Sequence, residues 1–118
     1  MQSTHVKSRS AVSGAADILR DVFGDMDHGL RFRMWDGTTI SVGREVLPLE
    51  ITFPSLDSFK HILLNPTADA FAEAYCNSVI EFEGDLFEAM KVADSFENIE
   101  LTAMQKFKLA LRIWKLSE

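Results

Sequence analysis

The sequence has 118 residues, with one cysteine, no excess of basic side chains and no long hydrophobic run. One cysteine cannot form an internal disulfide, so a reducing, cytoplasmic setting is expected. The formal net charge of −6 argues against a nucleic-acid partner, because such proteins normally present a basic surface. No apolar run approaches the length that crosses a bilayer. These absences favour one small domain with an ordinary hydrophobic core.

The chain divides into a polar start and one folded unit. Residues 1–10 show no periodic apolar pattern and are predicted to form a flexible tail, so the single domain is placed at 11–118. A helix is predicted from about Ser13 to Gly24. A second, N-capped by Ser55, should be stopped by Asn65-Pro66. A third helix is expected at Ala68 to Tyr75. A fourth should run from Thr102 to about Leu116, with Thr102 and Gln105 forming a capping box at its start.

The segment "LRFRMWDGTTISV" predicts a β-hairpin with a testable register. A two-residue Asp-Gly turn would mix apolar and polar side chains on both faces. A three-residue loop of Trp35, Asp36 and Gly37 places every apolar residue on one face, by pairing Met34 with Thr38, Phe32 with Ile40 and Leu30 with Val42. The second register is therefore predicted. A further strand, "LPLEITF", should turn Leu49, Ile51 and Phe53 inward and Glu50 and Thr52 to water.

The stretch "AYCNSVIEFEGDLFEAM" carries a row of acids, Glu81, Glu83 and Asp85. On a strand they lie opposite Ile80 and Phe82, while Asp85 reads as a helix N-cap with Glu88 as its reciprocal partner. A hard-cation site is the weaker alternative, because no further ligand is in view. The histidines at positions 5, 28 and 61 lack metal-ligand spacing, so no metal is predicted. Cys76 is predicted to be a small buried hydrophobe.

Three blocks, "LRFRMWDGTTISVG", "LEITFPSLDSFKHILLNP" and "FAEAYCNSVIEFEGDL", resemble the N-terminal domain of cyclopropane-fatty-acyl-phospholipid synthase-like methyltransferases. They cover about residues 30 to 90 in the same order and spacing. The chain departs from the family at Ser78, where members often have glycine in Tyr-x-x-Gly. The last block is also similar to sterol-carrier-protein-like domains. The resemblance implies an α+β fold, with a mostly antiparallel sheet of about four to five strands and helices on one face.

The same resemblance implies a function. It predicts a non-catalytic module that binds lipid or presents substrate, with S-adenosylmethionine held on a separate C-terminal methyltransferase domain. The six glycines never occur as Gly-x-Gly, so no cofactor is expected on this chain. Alternatives are a structural or dimerisation module without lipid binding and a free-standing lipid carrier. Expected partners are acyl chains or phospholipid, an anionic membrane surface, the methyltransferase domain and a second copy in a homodimer.

Two groups of site residues are predicted. An acyl chain should lie between sheet and helices, against Phe59, Ile62, Leu63, Phe71, Phe87 and Met90. The sheet should contribute Phe32, Ile51, Ile80 and Phe82 to the same space. A membrane or domain contact is predicted at Trp35, Lys108, Arg112 and Lys115. Beside these last three, the apolar row Met104, Phe107, Leu111 and Trp114 is expected to cover the core.

Overall fold

The computed structural model describes the backbone of residues 2–64, 67–97, 99 and 101–116, and within these ranges the side chains from residue 11 onward. In this part of the chain there are five helices and four strands. The helices are α1 (Gln2–Phe23), α2 (Leu56–Leu63), α3 (Ala68–Cys76), α4 (Leu86–Glu97) and α5 (Ala103–Lys115). The strands are β1 (His28–Arg33), β2 (Thr39–Val42), β3 (Glu45–Thr52) and β4 (Glu81–Glu83).

The four strands form one mixed sheet in the order β2-β1-β3-β4. The β1–β2 and β3–β4 pairs are antiparallel, whereas the central β1–β3 pair is parallel. The predicted α+β class is confirmed. The parallel pair arises because the chain passes from β2 to β3 across the start of β1. A Cβ added at Gly29 would overlap the carbonyl of Val42, so this crossing requires glycine.

The β1–β2 hairpin has the predicted register. Leu30 pairs with Val42 and Phe32 with Ile40. At the loop, Met34 N donates to Thr38 O at 2.7 Å and Gly37 N to Met34 O at 3.0 Å. Gly37 has φ of +93°, the left-handed conformation predicted for the third loop position. The alternative two-residue turn is therefore wrong.

One face of the sheet is apolar and lies under the helices. Phe32, Ile51 and Phe53 on or beside the central strands are buried there. Aromatic rings continue the core into the helices: the Phe23 and Phe96 rings are 5.1 Å apart, and those of Phe53 and Phe59 are 5.3 Å apart. Edge-to-face and offset contacts of this kind add to the hydrophobic burial. The opposite face carries charged and polar side chains, among them Arg31 and Arg33.

Local capping signals account for four helix starts, including that of α3, where the Thr67 hydroxyl accepts from Ala70 N. The Ser55 hydroxyl accepts from Ser58 N at the start of α2. Thr102 and Gln105 form the predicted capping box of α5. At α4, Asp85 Oδ1 accepts from Phe87 N at 2.6 Å. The predicted reciprocal bond from Glu88 is replaced by an ion pair, with Glu88 Oε2 at 3.7 Å from Lys91 Nζ.

Other predictions need correction. The helix expected from about Ser13 begins at Gln2, so it includes most of the segment predicted to be a flexible tail. Helix, once nucleated by the amphipathic part, can propagate through polar residues. Cys76, expected to be buried, is exposed at the last position of α3. The Asn65-Pro66 stop lies outside the described residues, and so does the side chain of His5.

Candidate functional site

An apolar cavity of about 240 Å³ lies between the apolar face of the sheet and helices α3 and α4. The sheet contributes Leu30, Leu49 and Ile51 from β1 and β3, with Ile80 and Phe82 from the fourth-strand region. The exposed side chains of Tyr75 and Leu86 line it where it reaches solvent. Apart from the Tyr75 hydroxyl, the side chains that line it are hydrocarbon. Such a space suits an alkyl chain and offers almost nothing to a polar ligand.

Small side chains on the two helices create this space. Ala68 and Ala72 are four residues apart on α3, and Ala89 and Ala93 are four apart on α4. Residues spaced by four share a helix face, so each helix turns a strip of alanine toward the cavity. The predicted site contained none of these four residues. Paired i, i+4 alanines beside larger apolar residues are the sequence signal that could have indicated them.

The predicted lipid-binding residues are distributed over three environments. Phe71 lines the cavity, as do Ile51, Ile80 and Phe82 from the sheet. Phe59, Ile62 and Leu63 of α2 lie in the packed core outside the cavity lining. The Phe59 ring contacts both Phe53 and Trp35. The three α2 residues therefore act as core packing here.

Phe87 and Met90 lie on the outer side of α4. Phe87 is 78% exposed, and Met90 is also exposed. Neither lines the cavity, although their neighbour Leu86 does. These two side chains consequently extend the apolar surface near the cavity opening instead of enclosing the space. Exposed large apolar groups in one area commonly mark an interaction surface.

The residues predicted to contact a membrane or another domain also lie in different parts of the structure. Trp35 is half-buried at the hairpin loop, with its ring 6.1 Å from that of Phe59. Lys108 and Lys115 are exposed on α5. Arg112 Nη1 donates to Asp21 Oδ2 of α1 at 2.6 Å, which ties α5 to α1. The apolar row beside these residues was predicted to cover the core, and this prediction is wrong: Leu109 and Ile113 face inward instead.

The acidic row of β4 has the geometry of a solvated strand face. Glu81 and Glu83 are exposed, and Asp85 caps α4. Among the described residues, no group of three or more His, Cys, Asp or Glu side chains is arranged to hold a metal ion. Gly84 supplies the sharp corner between strand and helix, with φ of +142° and the Leu49 side chain close by.

A buried carboxylate lies on the polar face of the sheet. Glu50 is only 8% exposed, although its position in β3 predicts a side chain in water. Arg31 Nε donates to Glu50 Oε1 at 2.9 Å and Arg33 Nε to Oε2 at 3.0 Å. The hydrogen bond from Arg33 lowers the pKa of Glu50, burial raises it, and Arg31 lowers it further, with a net decrease. Two arginines on the parallel neighbour strand explain why this carboxylate tolerates burial.

The turn after α3 contains Ser78 in the left-handed conformation, with φ of 61°. Val79 N donates to Ala74 O at 2.8 Å and Ser78 N to Tyr75 O at 3.1 Å. These two bonds form a Schellman motif, in which Ser78 occupies the position that glycine usually fills. Ser78 is also the residue at which the chain departs from the Tyr-x-x-Gly pattern.

Fold and cavity together define an α+β domain with an apolar pocket between a mixed sheet and two helices. The family model DUF7884, described as a domain of unknown function, matches residues 18–104. Because this match spans more than half of the sequence, the chain belongs to that family. No curated protein is a match to the chain. In the part of the chain that the structure describes, no helix combines the length and apolar character needed to cross a membrane.

Proposed function

We propose that this chain is a non-catalytic module that binds an acyl chain in the cavity between the sheet and helices α3 and α4. It would present lipid to a cyclopropane-fatty-acyl-phospholipid synthase-like, S-adenosylmethionine-dependent methyltransferase domain, with the cofactor on that domain. A cytoplasmic location at the inner membrane surface belongs to the same proposal. The observation that carries it is the hydrocarbon lining of an open cavity of about 240 Å³.

The size of the cavity limits what it can hold. Ligand pockets for whole small molecules typically measure about 300 to 1,000 Å³. At about 240 Å³, this cavity accommodates part of an alkyl chain and leaves a polar headgroup outside. The exposed Tyr75 and Leu86 lie where the remainder of such a lipid would leave the protein. A module that holds only the chain is suited to presenting a lipid to another site.

The turn at Ser78 supports the family resemblance on which the catalytic part of the proposal rests. In the related pattern, Tyr-x-x-Gly places glycine three residues after tyrosine. In this chain the third residue after Tyr75 has φ of 61°, a conformation that glycine adopts without strain. The left-handed backbone at residue 78 is thus one that a glycine in the Tyr-x-x-Gly pattern would also adopt.

The test is binding of a fluorescent fatty acid, kept below its micelle concentration, to the chain and to cavity-filling variants. Ala89→Leu and Ala93→Leu should weaken binding at least about tenfold, because each adds hydrocarbon to the lining. Their melting temperatures should be unchanged or higher, since filling a cavity in a fold is commonly neutral or stabilising. Ala103→Leu, at an exposed site outside the cavity, is the matched control.

A substitution in the packed core distinguishes the effect of filling the cavity from that of disturbing the core. Ile62 is buried in the packed core, so Ile62→Trp should destabilise the protein by about 1 to 3 kcal/mol. If the wild-type chain binds no fatty acid, or if the filled variants bind as well as the wild type, the acyl-chain proposal is wrong. The alternative of a structural or dimerisation module, or that of a carrier with a different site, would then replace it.

A further inference from the structure

Helix α5 turns a row of large apolar side chains to solvent. The row consists of Met104, Phe107, Leu111 and Trp114, all exposed, with Trp114 at 81%. The opposite side of the helix, at Leu109 and Ile113, packs on the rest of the domain, where the main contacts of α5 are with α1 and α2. Leu64, just after α2, joins Phe107, Leu111 and Trp114 around a shallow groove of about 280 Å³. The apolar surface is thus continuous between two helices.

Lysine side chains border this row. The segment from Ala103 to Lys115 contains Lys106, Lys108, Arg112 and Lys115 and no acidic residue. With about 100° between successive residues, Lys108 and Lys115 lie along one edge of the row, whereas Lys106 lies nearer the packed side of the helix, beside Ile113. Arg112 is paired with Asp21. Within the described residues, neither Lys108 nor Lys115 forms an ion pair, and both side chains are exposed.

We propose that this face of α5 docks on an anionic phospholipid bilayer, with the apolar row in the interface and Lys108 and Lys115 at the headgroups. Aromatic and aliphatic side chains flanked by lysine are the pattern of helices that lie in the plane of a membrane surface. Lysine can keep its ammonium group in water while its stem follows the apolar layer. The proposal concerns a different surface from the cavity and does not depend on acyl-chain binding there.

Charge complementarity favours an anionic bilayer over a second copy of the chain as the partner of this face. A second copy of the chain packed on the same face would bring two lysine-bordered rows together, which like-charge repulsion opposes. An anionic bilayer attracts each lysine near its surface. The net charge of −6 does not prevent this, because charges farther than about 8 Å from the membrane are largely screened at physiological salt. The local basic face therefore determines the orientation of the domain.

The chain offers a direct probe, because it has two tryptophans and one of them is in the row. Trp35→Phe leaves Trp114 as the reporter. Vesicles of phosphatidylcholine with phosphatidylglycerol should shift its emission to shorter wavelength and should carry the protein in flotation. Vesicles of phosphatidylcholine alone should do neither, and added salt should reverse the binding. If the Trp35 variant does not fold, flotation of the unaltered chain gives the same comparison.

Variants test the assignment of the face. The double change Lys108→Glu with Lys115→Glu should reduce affinity for anionic vesicles at least about tenfold, as should Phe107→Ser. Lys91→Glu on α4 and Val46→Ser on β3, both at exposed positions, are matched controls that should bind as the wild type does. Equal losses in these controls would overturn the proposal. Absence of vesicle binding would overturn it as well. So would the finding that Phe107→Ser abolishes a concentration-dependent dimer, or binding to an acidic protein, while vesicle binding is absent.

Discussion

At the scale of single residues, Glu50 links strand pairing to charge. It lies beside Arg31 in the parallel β1–β3 ladder and opposite Glu83 in the antiparallel β3–β4 ladder. Two guanidinium groups therefore offset both burial and a like-charged cross-strand neighbour. Replacing Glu50 by Gln should lower the free energy of unfolding at neutral pH by about 1 to 2 kcal/mol, since charge-assisted hydrogen bonds are lost while the half-exposed arginines remain hydrated.

The pH dependence of this effect has a definite sign. The folded-state pKa of Glu50 is below its ordinary value of 4.5, so its contribution is complete above that ordinary value and is lost as the pH falls through the folded-state pKa. The difference between wild type and Glu50→Gln should be constant above about pH 5 and should shrink on further acidification. Urea unfolding at several pH values measures it. Glu83→Gln, at the exposed position that pairs with Glu50, should leave the free energy of unfolding unchanged. If the difference between wild type and Glu50→Gln does not depend on pH, the stabilisation does not come from the charge of Glu50.

At the scale of elements, the starts of α2 and α5 and the hairpin were predictable because each depends on a few neighbouring residues. The N-caps at Ser55 and Thr102 and the loop conformation at Gly37 follow from cap and turn chemistry that does not need the rest of the fold. The parallel β1–β3 pairing was not predictable in this way. It depends on a close approach between Gly29 and Gly43, which the alternating pattern of neither strand indicates.

The end of α3 carries a prediction at this scale. Ser78 occupies the left-handed position of the Schellman motif, where a side chain costs conformational energy that glycine avoids. Ser78→Gly should therefore raise the free energy of unfolding by about 0.5 to 1 kcal/mol, after the greater entropy of glycine in the unfolded chain is subtracted. Ser78→Ala keeps the Cβ and should show no gain. Chemical denaturation compares the three proteins, and a destabilised glycine variant would argue against the assigned turn.

At the scale of the whole molecule, the same apolar row can be core or surface, and only the packing of helices decides which. Met104, Phe107, Leu111 and Trp114 have the spacing of a core-facing stripe, yet α5 packs through Leu109 and Ile113. A helix with apolar residues on two sides has two ways to dock. The cavity could not be predicted from sequence for the same reason: the alanines of α3 and α4 line a pocket only when both helices pack over the sheet.

The proposed division of roles between this domain and a separate catalytic domain gives the last prediction: the purified chain should not bind S-adenosylmethionine. That cofactor is charged and rich in hydrogen-bonding groups, and the cavity lined by Phe71, Val92 and Phe96 would desolvate those groups without replacing their partners. The glycines at 14, 24, 29, 37, 43 and 84 also never form the Gly-x-Gly loop through which a backbone closely approaches a nucleotide cofactor. Titration calorimetry should show no heat of binding, with the fluorescent fatty acid as the positive control on the same preparation. Stoichiometric binding at micromolar concentration would place the methyl donor on this domain and refute the proposed division.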